Sequence, residues 1–416
     1  MELVLGFYSY PYSSSSLEDK TMIKEKYITL GKKPSAIRTL FEYGKVRKKE
    51  IGDDKVFDFS IGNPNAPAPS CVKEALLDLL NNDSSFHLHG YTSSVGDLKV
   101  REAIADYLNK TYNANTDAKL IYVSSGAAPS LAIILNCLVN EGEEVITFAP
   151  HWPDYKVLVE QVNGKIVEVN PEPEHFYPDF EDFLNKITSK TRVIIINSPN
   201  NPTGTVYDEK TIKRLAEILS EKQKEYGHPI FLLSDEPYRE LIYDDFKYPF
   251  VTNYYDNSIV CYSFSKSLSV PGERIGYIAV SKNCYNAYDL AAAFGGAARA
   301  LGYACAPSMF QFILPSCLGK TADLNFYKEN RDLLYNGLKD IGYEVVYPHG
   351  AFYMFVKALE KDDEHFSNVA KEMDLLIVPS KSFGYPGYVR VSYCVDKNMI
   401  VNALPTFKKL YDKYGG

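Results

Sequence analysis

The sequence predicts an α/β fold in which a large domain with a mostly parallel central sheet, flanked by helices, is joined to a smaller α+β domain. Nearly apolar runs of strand length alternate with helical patterns through the middle of the chain, which is typical of parallel-sheet units. After about residue 305 the pattern changes to a long helical stretch followed by short strand-like runs. The chain of 416 residues is also too long for one simple core.

Four candidate strands lie in the middle of the chain. The runs "EEVITFA", "RVIIIN", "PIFLLSD" and "SIVCYSF" are close to fully apolar, as strands buried on both faces are. The helical segments are amphipathic: "DEKTIKRLAEILSEKQKEY" places Ile212, Leu215 and Leu219 on one face behind an acidic start. "GDLKVREAIADYL" begins in the same way at Asp97. These helices are predicted to cover the faces of the sheet.

Polar and aromatic residues follow each candidate strand. The four strands run into "PHWPDY", "SPNNPTG", "DEPY" and "SKS", which deliver aromatic, amide, carboxylate and amine groups. Because ligands of open α/β sheets bind at the carboxyl edge of the strands, the sequence predicts a ligand site there.

The expected domain organisation has four parts. We expect a loose N-terminal tail (1–21), an N-terminal segment (22–64) that packs with the smaller domain, a large cofactor-binding domain (65–310) and a small C-terminal domain (311–416). The helical pattern "KPSAIRTLFEYGKVRKK" precedes the first unit of the large sheet, which favours placing it with the smaller domain.

Composition and charge argue against nucleic-acid and membrane partners and indicate a cellular compartment. A net charge of −8, without a basic stripe, opposes nucleic-acid binding. No run approaches transmembrane length, and Glu2 stands where a signal peptide would be basic, so we expect no membrane association. The seven cysteines are scattered without a CxxC pair, which favours buried thiols in the reducing cytoplasm.

Two strand ends carry residues that suit carbonyl chemistry. Lys266 ends an apolar strand, where desolvation lowers the pKa of an amine and makes it a nucleophile that forms Schiff bases; a lysine that reaches out to solvent is the alternative. Asp235 ends another strand, where a buried carboxylate can keep a pyridine nitrogen protonated, as pyridoxal phosphate chemistry requires. Its alternative role is to cap the turn that follows.

A loop that enters a helix is a candidate phosphate site. In "SSGAAPSLAIILNCL", Gly126 lets the backbone approach a ligand, and the free amides of the first helical turn can hold a phosphate. The same pattern also fits an ordinary helix start. Arg274 would add a full charge to such a site, or form a surface salt bridge instead.

The ordered set of "NNPTG", "SDEPY", "SFSK", "ERIGY" and "VRVSY" resembles the class I/II aminotransferases, the pyridoxal-phosphate enzymes of aspartate aminotransferase fold (fold type I). The resemblance extends from about Lys33 to Val395. "IGNPNAP" is similar to the family's GxP segment, which implies that Gly62 lies at the carboxylate side of the substrate. "GYTSSVGDLKVREAIADYL" is similar to a segment whose tyrosine, here Tyr91, reaches the phosphate bound by the partner subunit. The resemblance therefore implies a homodimer with shared active sites.

The resemblance further assigns roles to residues of this chain. It implies a Schiff base on Lys266, a pyridine-nitrogen contact from Asp235, and hydrogen bonds from Asn201 and Tyr238 to the phenolic oxygen of pyridoxal 5'-phosphate. Arg390 would bind the α-carboxylate of the substrate in a bidentate grip. The remaining cofactor contacts that it implies are the phosphate ligands Gly126, Ala127, Ala128, Ser263 and Arg274, and the stacking ring of Trp152.

The implied activity is transfer of an amino group from an L-amino acid, with aspartate as the first donor to test, to a 2-oxo acid such as 2-oxoglutarate. One aspartate-using subgroup carries a lysine where this chain has Ala128, so a dicarboxylic preference is not assured. Arg299 can supply the missing charge across the dimer or be a solvated helix residue. An aromatic or broad-specificity aminotransferase and a β-lyase of the same fold are the alternatives.

Two readings are disfavoured. A regulator of this fold would carry a DNA-binding domain, and the residues before the fold are too few and too little basic for one. The pair His87 and His89 in "FHLHG" lacks further ligands in the sequence pattern, so we predict a structural role and no metal site.

Overall fold

The structure is a computed structural model and describes residues 23–32 and 34–415. The predicted loose tail, residues 1–21, lies outside the described residues. In chain order the helices are α1 (Glu25–Lys32), α2 (Ala36–Ile51), α3 (Ser70–Asn82), α4 (Ser85–His89), α5 (Leu98–Tyr112), α6 (Ala127–Leu138), α7 (Asp154–Gln161), α8 (Phe180–Lys186), α9 (Glu209–Tyr226), α10 (Phe264–Ser267), α11 (Ala287–Leu301), α12 (Ser308–Cys317), α13 (Leu324–Ile341), α14 (Asp363–Glu372) and α15 (Lys397–Lys413). The strands are β1 (Phe57–Asp58), β2 (Ile121–Ser124), β3 (Glu144–Phe148), β4 (Lys165–Val169), β5 (Thr191–Asn197), β6 (Phe231–Asp235), β7 (Ser258–Ser263), β8 (Gly276–Val280), β9 (Val345–Val346), β10 (Tyr353–Lys357), β11 (Leu375–Leu376), β12 (Val378–Pro379) and β13 (Tyr388–Ser392).

A seven-stranded sheet in the order β2-β8-β7-β6-β5-β3-β4 forms the centre of the molecule. Strands β4, β3, β5, β6 and β7 pair in parallel. Strand β8 runs antiparallel to both of its neighbours, β7 and β2. The prediction of a mostly parallel central sheet is therefore confirmed.

Both faces of this sheet are covered, as the apolar runs predicted. Alternate residues of β5 divide between two hydrophobic clusters: Ile194 and Ile196 face one, and Val193 and Ile195 face the other. The predicted helix behind Asp97 is α5, and the one behind Asp208 is α9; each aspartate caps its helix by accepting a bond from a first-turn amide. Both of these helices cover the face of Ile194 and Ile196, and helices α6 and α11 cover the opposite face.

A second, four-stranded antiparallel sheet follows in the order β12-β13-β10-β9. It shares a separate core with α13 and α15, in which Tyr353 of β10 and Val391 of β13 are buried. The segment before residue 65 contacts this part of the molecule: Leu40 of α2 clusters with Leu376 and Val378, and β1 pairs in parallel with β11. The domain limits at residues 64 and 310 stay predictions.

The long helical stretch predicted after residue 305 is two helices. Helix α12 ends at Cys317, and Gly319 then adopts a φ of +74°, a left-handed conformation that suits glycine. Asp323 caps the start of α13 through its side chain. Helix α12 packs into the core beneath the large sheet through Ile313 and Leu314. Among the described residues, no helix is both long enough and apolar enough to span a bilayer.

Candidate active site

The carboxyl edge of the large sheet opens into a cleft of about 280 Å³. Strands β5, β6 and β7 are parallel, so Asn197, Asp235 and Ser263 reach this edge together. Because β8 runs antiparallel, the residues just before it lie at the same edge, which brings in Arg274. The second sheet closes the opposite side of the cleft with Tyr353 and Arg390.

Lys266 lies in the short helix α10 that follows β7. Its Nζ donates a hydrogen bond to the carbonyl oxygen of Gly62 at 2.6 Å, and no carboxylate of the described residues pairs with it. Burial lowers the pKa of Lys266 to about 8, and the charges of Arg390 and Arg274 act in the same direction. About a tenth of this amine is therefore uncharged and nucleophilic at pH 7, far more than of an ordinary lysine.

Asp235 ends β6 and is 4% exposed. The hydroxyl of Tyr155 donates to its Oδ2 at 2.6 Å, whereas Oδ1 has no hydrogen-bond partner among the described residues. The thiol of Cys261, on the neighbouring strand, donates instead to the carbonyl oxygen of Ala127. Burial raises the pKa of Asp235 to about 7. The free oxygen fits a buried cationic donor, since a buried acceptor without a partner is costly.

The N-terminus of α6 borders the cleft. Gly126 precedes it with a φ of +97°, and a Cβ at this position would lie 2.8 Å from Nη2 of Arg274. Glycine thus lets the guanidinium lie against the first helical turn, whose amides from Ala127 and Ala128 are not used by the helix ladder. Ser263 and Ser265 stand beside it, with their hydroxyls 2.8 Å apart. Such a set of amides, hydroxyls and a guanidinium has the chemistry to hold an anion.

Arg390, on β13, is 1% exposed and has no acidic partner among the described residues. Nη1 donates to Oδ1 of Asn201 at 2.9 Å, Nη2 donates to the carbonyl oxygen of Ser60 at 2.5 Å, and Nε has no partner. The guanidinium lies 4.5 Å from the ring centre of Tyr353. Burial lowers its pKa, so an anion that reached it would restore favourable charge.

Tyr238 and Tyr353 join the two sides of the cleft. Their hydroxyls are 2.8 Å apart, and both side chains are buried. A Cβ at Gly62 would lie 1.9 Å from the hydroxyl of Tyr353, so only glycine fits between this phenol and Lys266.

Trp152 lines the cleft after β3, and its indole meets the ring of Tyr155 edge to face at 5.5 Å. Tyr91 is 95% exposed and does not line the cleft of its own chain. Arg299 lies on an exposed face of α11, also outside the cleft. His87 stacks on Phe312 at 4.5 Å and pairs with Asp83, contacts that suit a structural residue.

The structure thus brings together most of the predicted site residues. Gly126 contacts the cleft through Arg274, and Tyr91 stands apart; the cleft is lined by Gly62, Ala127, Ala128, Trp152, Asn201, Asp235, Tyr238, Ser263, Lys266, Arg274 and Arg390. Sequence reasoning missed a further set of residues in or against the cleft: Ile37, Asn197, Ser265, Tyr353 and Tyr155. Two of these carried a signal, because Asn197 ends a predicted strand and Ser265 neighbours Lys266.

Known proteins share this architecture and sequence. Residues 54–407 match the sequence profile of the family described as "Aminotransferase class I and II". The chain is 34% identical to the "Probable aspartate aminotransferase" of Methanocaldococcus jannaschii, over 91% of this chain and 98% of that protein. It is 31% identical to the "Probable aspartate/prephenate aminotransferase" of Aquifex aeolicus, over 92% of this chain and 97% of that protein.

A solved structure matches the whole fold. The crystal structure of an amino transferase from Eubacterium rectale has a TM-score of 0.93 and 53% identity, and the match covers 95% of this chain and 100% of that one. Fold, cleft and sequence agree, and the chain belongs to the class I and II aminotransferases.

Proposed function

We propose that this aminotransferase uses pyridoxal 5'-phosphate and transfers the amino group of aspartate to a 2-oxo acid such as 2-oxoglutarate. One observation carries the proposal: the amine of Lys266, whose pKa is lowered, and the oxygen of Asp235 that lacks a hydrogen-bond partner lie in the same cleft. An amine that attacks carbonyls and a buried acid that lacks a cation are the two groups that a pyridine aldehyde would engage.

The remaining residues fit the cofactor from end to end. The amides of Ala127 and Ala128, with Ser263 and Arg274, form a cradle for its phosphate. Tyr238 and Asn201 reach the cleft where they can bond its phenolic oxygen, and Trp152 offers a flat face to its ring. When bound, pyridoxal phosphate supplies an electron-accepting ring that stabilises negative charge at the substrate's α-carbon.

The side chains of this protein divide the remaining work. Arg390 binds the α-carboxylate of the amino acid, since its Nε is free and its charge is unpaired among the described residues. Asp235 as carboxylate keeps the ring nitrogen protonated. Lys266, once released from the cofactor, takes a proton from the α-carbon, and a pKa of about 8 suits this exchange near neutral pH.

The names of the relatives support aspartate as donor. Within one chain, however, the cations that line the cleft are Lys266, Arg274 and Arg390, which have roles already. The rest of the wall includes Ala128, Leu131 and Ile37. A second carboxylate would therefore need a charge from the partner subunit, and an aromatic or broad-specificity donor is the second candidate. A β-lyase would release ammonia with each turnover, which separates it from transfer.

We also propose a homodimer in the cytoplasm. Tyr91 and Phe86 are 95% and 90% exposed, and Leu77 and Leu80 of α3, the helix that contacts α4, are half-exposed. A second subunit would cover such apolar side chains. In a dimer Tyr91 would be free to reach the partner's phosphate. The seven cysteines are unpaired, which supports a reducing compartment.

The first test is covalent capture of the cofactor. Borohydride reduction of the purified enzyme, followed by peptide mass spectrometry, should place the cofactor on Lys266; Lys266→Ala should lose both this adduct and activity. Lys397→Ala, a surface lysine paired with Glu329, is the matched control and should keep both. In a separate assay of the unreduced enzyme, aspartate with 2-oxoglutarate should yield oxaloacetate without ammonia. An adduct on another lysine, or none with added cofactor, refutes the proposal, and turnover of aromatic donors alone moves the substrate to that class.

A further inference from the structure

His151 is a buried residue that does not line the cleft, yet it contacts several elements that do. Its side chain is 3% exposed. The ring nitrogen Nδ1 lies 2.9 Å from the carbonyl oxygen of Trp152, and Nε2 lies 2.8 Å from Oε1 of Glu168 on β4. Its backbone amide donates to the carbonyl oxygen of Phe383 at 2.9 Å. One residue thus joins the Trp152 loop, the sheet and the second part of the chain.

The two acceptors beside the ring call for a hydrogen on each ring nitrogen. A carbonyl oxygen can only accept, so Nδ1 must carry a hydrogen. The hydrogen bond to His151 holds the pKa of Glu168 below its ordinary value, so this side chain is a carboxylate and also only accepts. A neutral imidazole has one N–H and can serve only one of the two acceptors. The imidazolium serves both.

The two contacts of the His151 ring, with the Trp152 carbonyl and the Glu168 carboxylate, are called the clasp below. The surroundings of the ring favour a charged pair with Glu168. The ring of Tyr155 stacks on His151 with centroids 6.0 Å apart, and Tyr155 stays neutral because burial raises its pKa. Lys156 and Lys186 act on the Glu168 carboxylate from α7 and α8, and Lys186 also donates to the Glu168 carbonyl oxygen.

The clasp is connected to three residues of the cleft: Trp152, Asp235 and Arg390. Trp152 is bonded to His151 through its own carbonyl oxygen. Tyr155, under the His151 ring, donates to Asp235. Phe383, which accepts from the His151 amide, has its ring 5.3 Å from the Arg390 guanidinium.

A glycine follows at position 384, where a Cβ would lie 3.1 Å from Oε1 of Glu168 and 3.2 Å from Nε2 of His151. The loop that carries Phe383 therefore rests directly on the clasp.

We propose that His151, as an imidazolium held between Trp152 and Glu168, is a positioning residue. It fixes the position of the Trp152 loop relative to the side of the cleft that carries Phe383 and Arg390. The roles of Trp152 and Arg390 in this inference rest on the proposed function. Deprotonation leaves one acceptor without its hydrogen and weakens the clasp. A ring that lacks one of its two hydrogens keeps only one of the two contacts, so the cleft should then bind its amino acid less tightly.

Two variants and a control test this inference in the enzyme with bound cofactor. In Glu168→Gln the amide NH2 can donate to Nε2 of a neutral imidazole whose Nδ1 hydrogen still serves Trp152, so both contacts survive without protonation. His151→Asn removes the clasp. The control is His365→Asn, which breaks a similar histidine–carboxylate pair, with Glu360, on the surface.

The readouts are KM and kcat for the donor from pH 6 to 8.5, and the emission of Trp152, the single tryptophan of the chain. We expect KM of the unaltered enzyme to rise about fivefold more with pH than KM of Glu168→Gln, with kcat changing less than twofold between them, because misplacement of a binding group weakens its grip. Lys266 titrates in all variants, so only the difference between variants reports the clasp. His151→Asn should start with the raised KM at pH 6.

Trp152 emission gives a second, independent readout. It should show a pH transition in the unaltered enzyme that is absent from His151→Asn and Glu168→Gln, and His365→Asn should match the unaltered enzyme. Superimposable KM profiles and emission transitions in Glu168→Gln and the unaltered enzyme would overturn the proposal, even if His151→Asn fails to fold. Emission needs no substrate, so a failure of aspartate as donor leaves this test intact.

Discussion

Asp235→Asn should have opposite effects on the protein with and without cofactor. Without the cofactor, nothing among the described residues pairs with Oδ1, and burial raises the pKa of Asp235 from 3.8 to about 7. The folded state therefore holds a proton that the unfolded chain releases above pH 3.8. Because the folded state binds more protons in this range, stability falls as pH rises. Asparagine keeps the shape and the bond from Tyr155 but does not titrate.

The size of the effect follows from the width of this range. Each pH unit between the two pKa values costs roughly 1.4 kcal/mol. Between pH 5 and 7 the cofactor-free protein should therefore lose about 2 kcal/mol of unfolding free energy relative to Asp235→Asn, allowing for half-titration near pH 7. With the proposed cofactor bound, its charged ring nitrogen would compensate the carboxylate, and the variant should lose affinity and activity instead.

Urea unfolding of both cofactor-free proteins at pH 5, 6 and 7 measures the difference directly. All other titrating groups are common to the two proteins, so their contributions cancel in the difference. Cofactor affinity is measured by titration at the same pH values. A stability difference that stays constant from pH 5 to 7 would refute the assignment of a raised pKa to Asp235.

Other predictions follow from single contacts. Tyr155→Phe removes the 2.6 Å hydrogen bond to Asp235. It should weaken cofactor binding by about tenfold or more at pH 7.5, since a hydrogen bond to a charged group contributes about 1.5–3 kcal/mol. An unchanged cofactor affinity, measured by titration, would contradict this. Arg390→Lys should lower kcat/KM by about 30-fold, mainly through KM, because a lysine cannot grip a carboxylate with two parallel bonds; a loss confined to kcat would count against the carboxylate role. Gly62→Ala should lower both kcat/KM and Tm because its Cβ meets the Tyr353 hydroxyl. Gly31→Ala, in open space within α1, should leave kcat/KM unchanged and should not lower Tm.

The parts of the site that the sequence predicted are those carried by strand ends. Lys266 and Asp235 lie at the ends of apolar runs, so the period of the strands and the parallel order of the sheet place them at one edge. Asn201 was predicted through resemblance. Arg390 was predicted through resemblance, since it lies within a short strand of the second sheet.

The missed residues lack such a signal. Tyr155, Tyr353 and His151 lie in aromatic-rich stretches that are typical of any core. Only their hydroxyl groups and ring nitrogens make the contacts described above. Each tip finds its partner far along the chain: Tyr155 bonds Asp235, and Tyr353 bonds Tyr238. Local patterns cannot predict such pairs, because the partner is set by how the two sheets meet. The pairing of His151 with Glu168 joins the loop after β3 to the neighbouring strand β4, and the sheet order is needed to predict it.

The charges of the cleft oppose those of the whole chain. The protein carries a net charge of −8, yet Lys266, Arg274 and Arg390 line the cleft without an acidic partner among the described residues. The one acid there, Asp235, lies buried with an oxygen unused. Each unpaired group is costly in the protein alone and becomes favourable when a phosphate, a ring nitrogen or a carboxylate meets it. A cleft that concentrates positive charge within an acidic protein also draws anionic substrates out of solution. The same unmet groups that lower the stability of the protein alone therefore define what it binds, which is why Asp235→Asn should stabilise the empty protein and disable the loaded one.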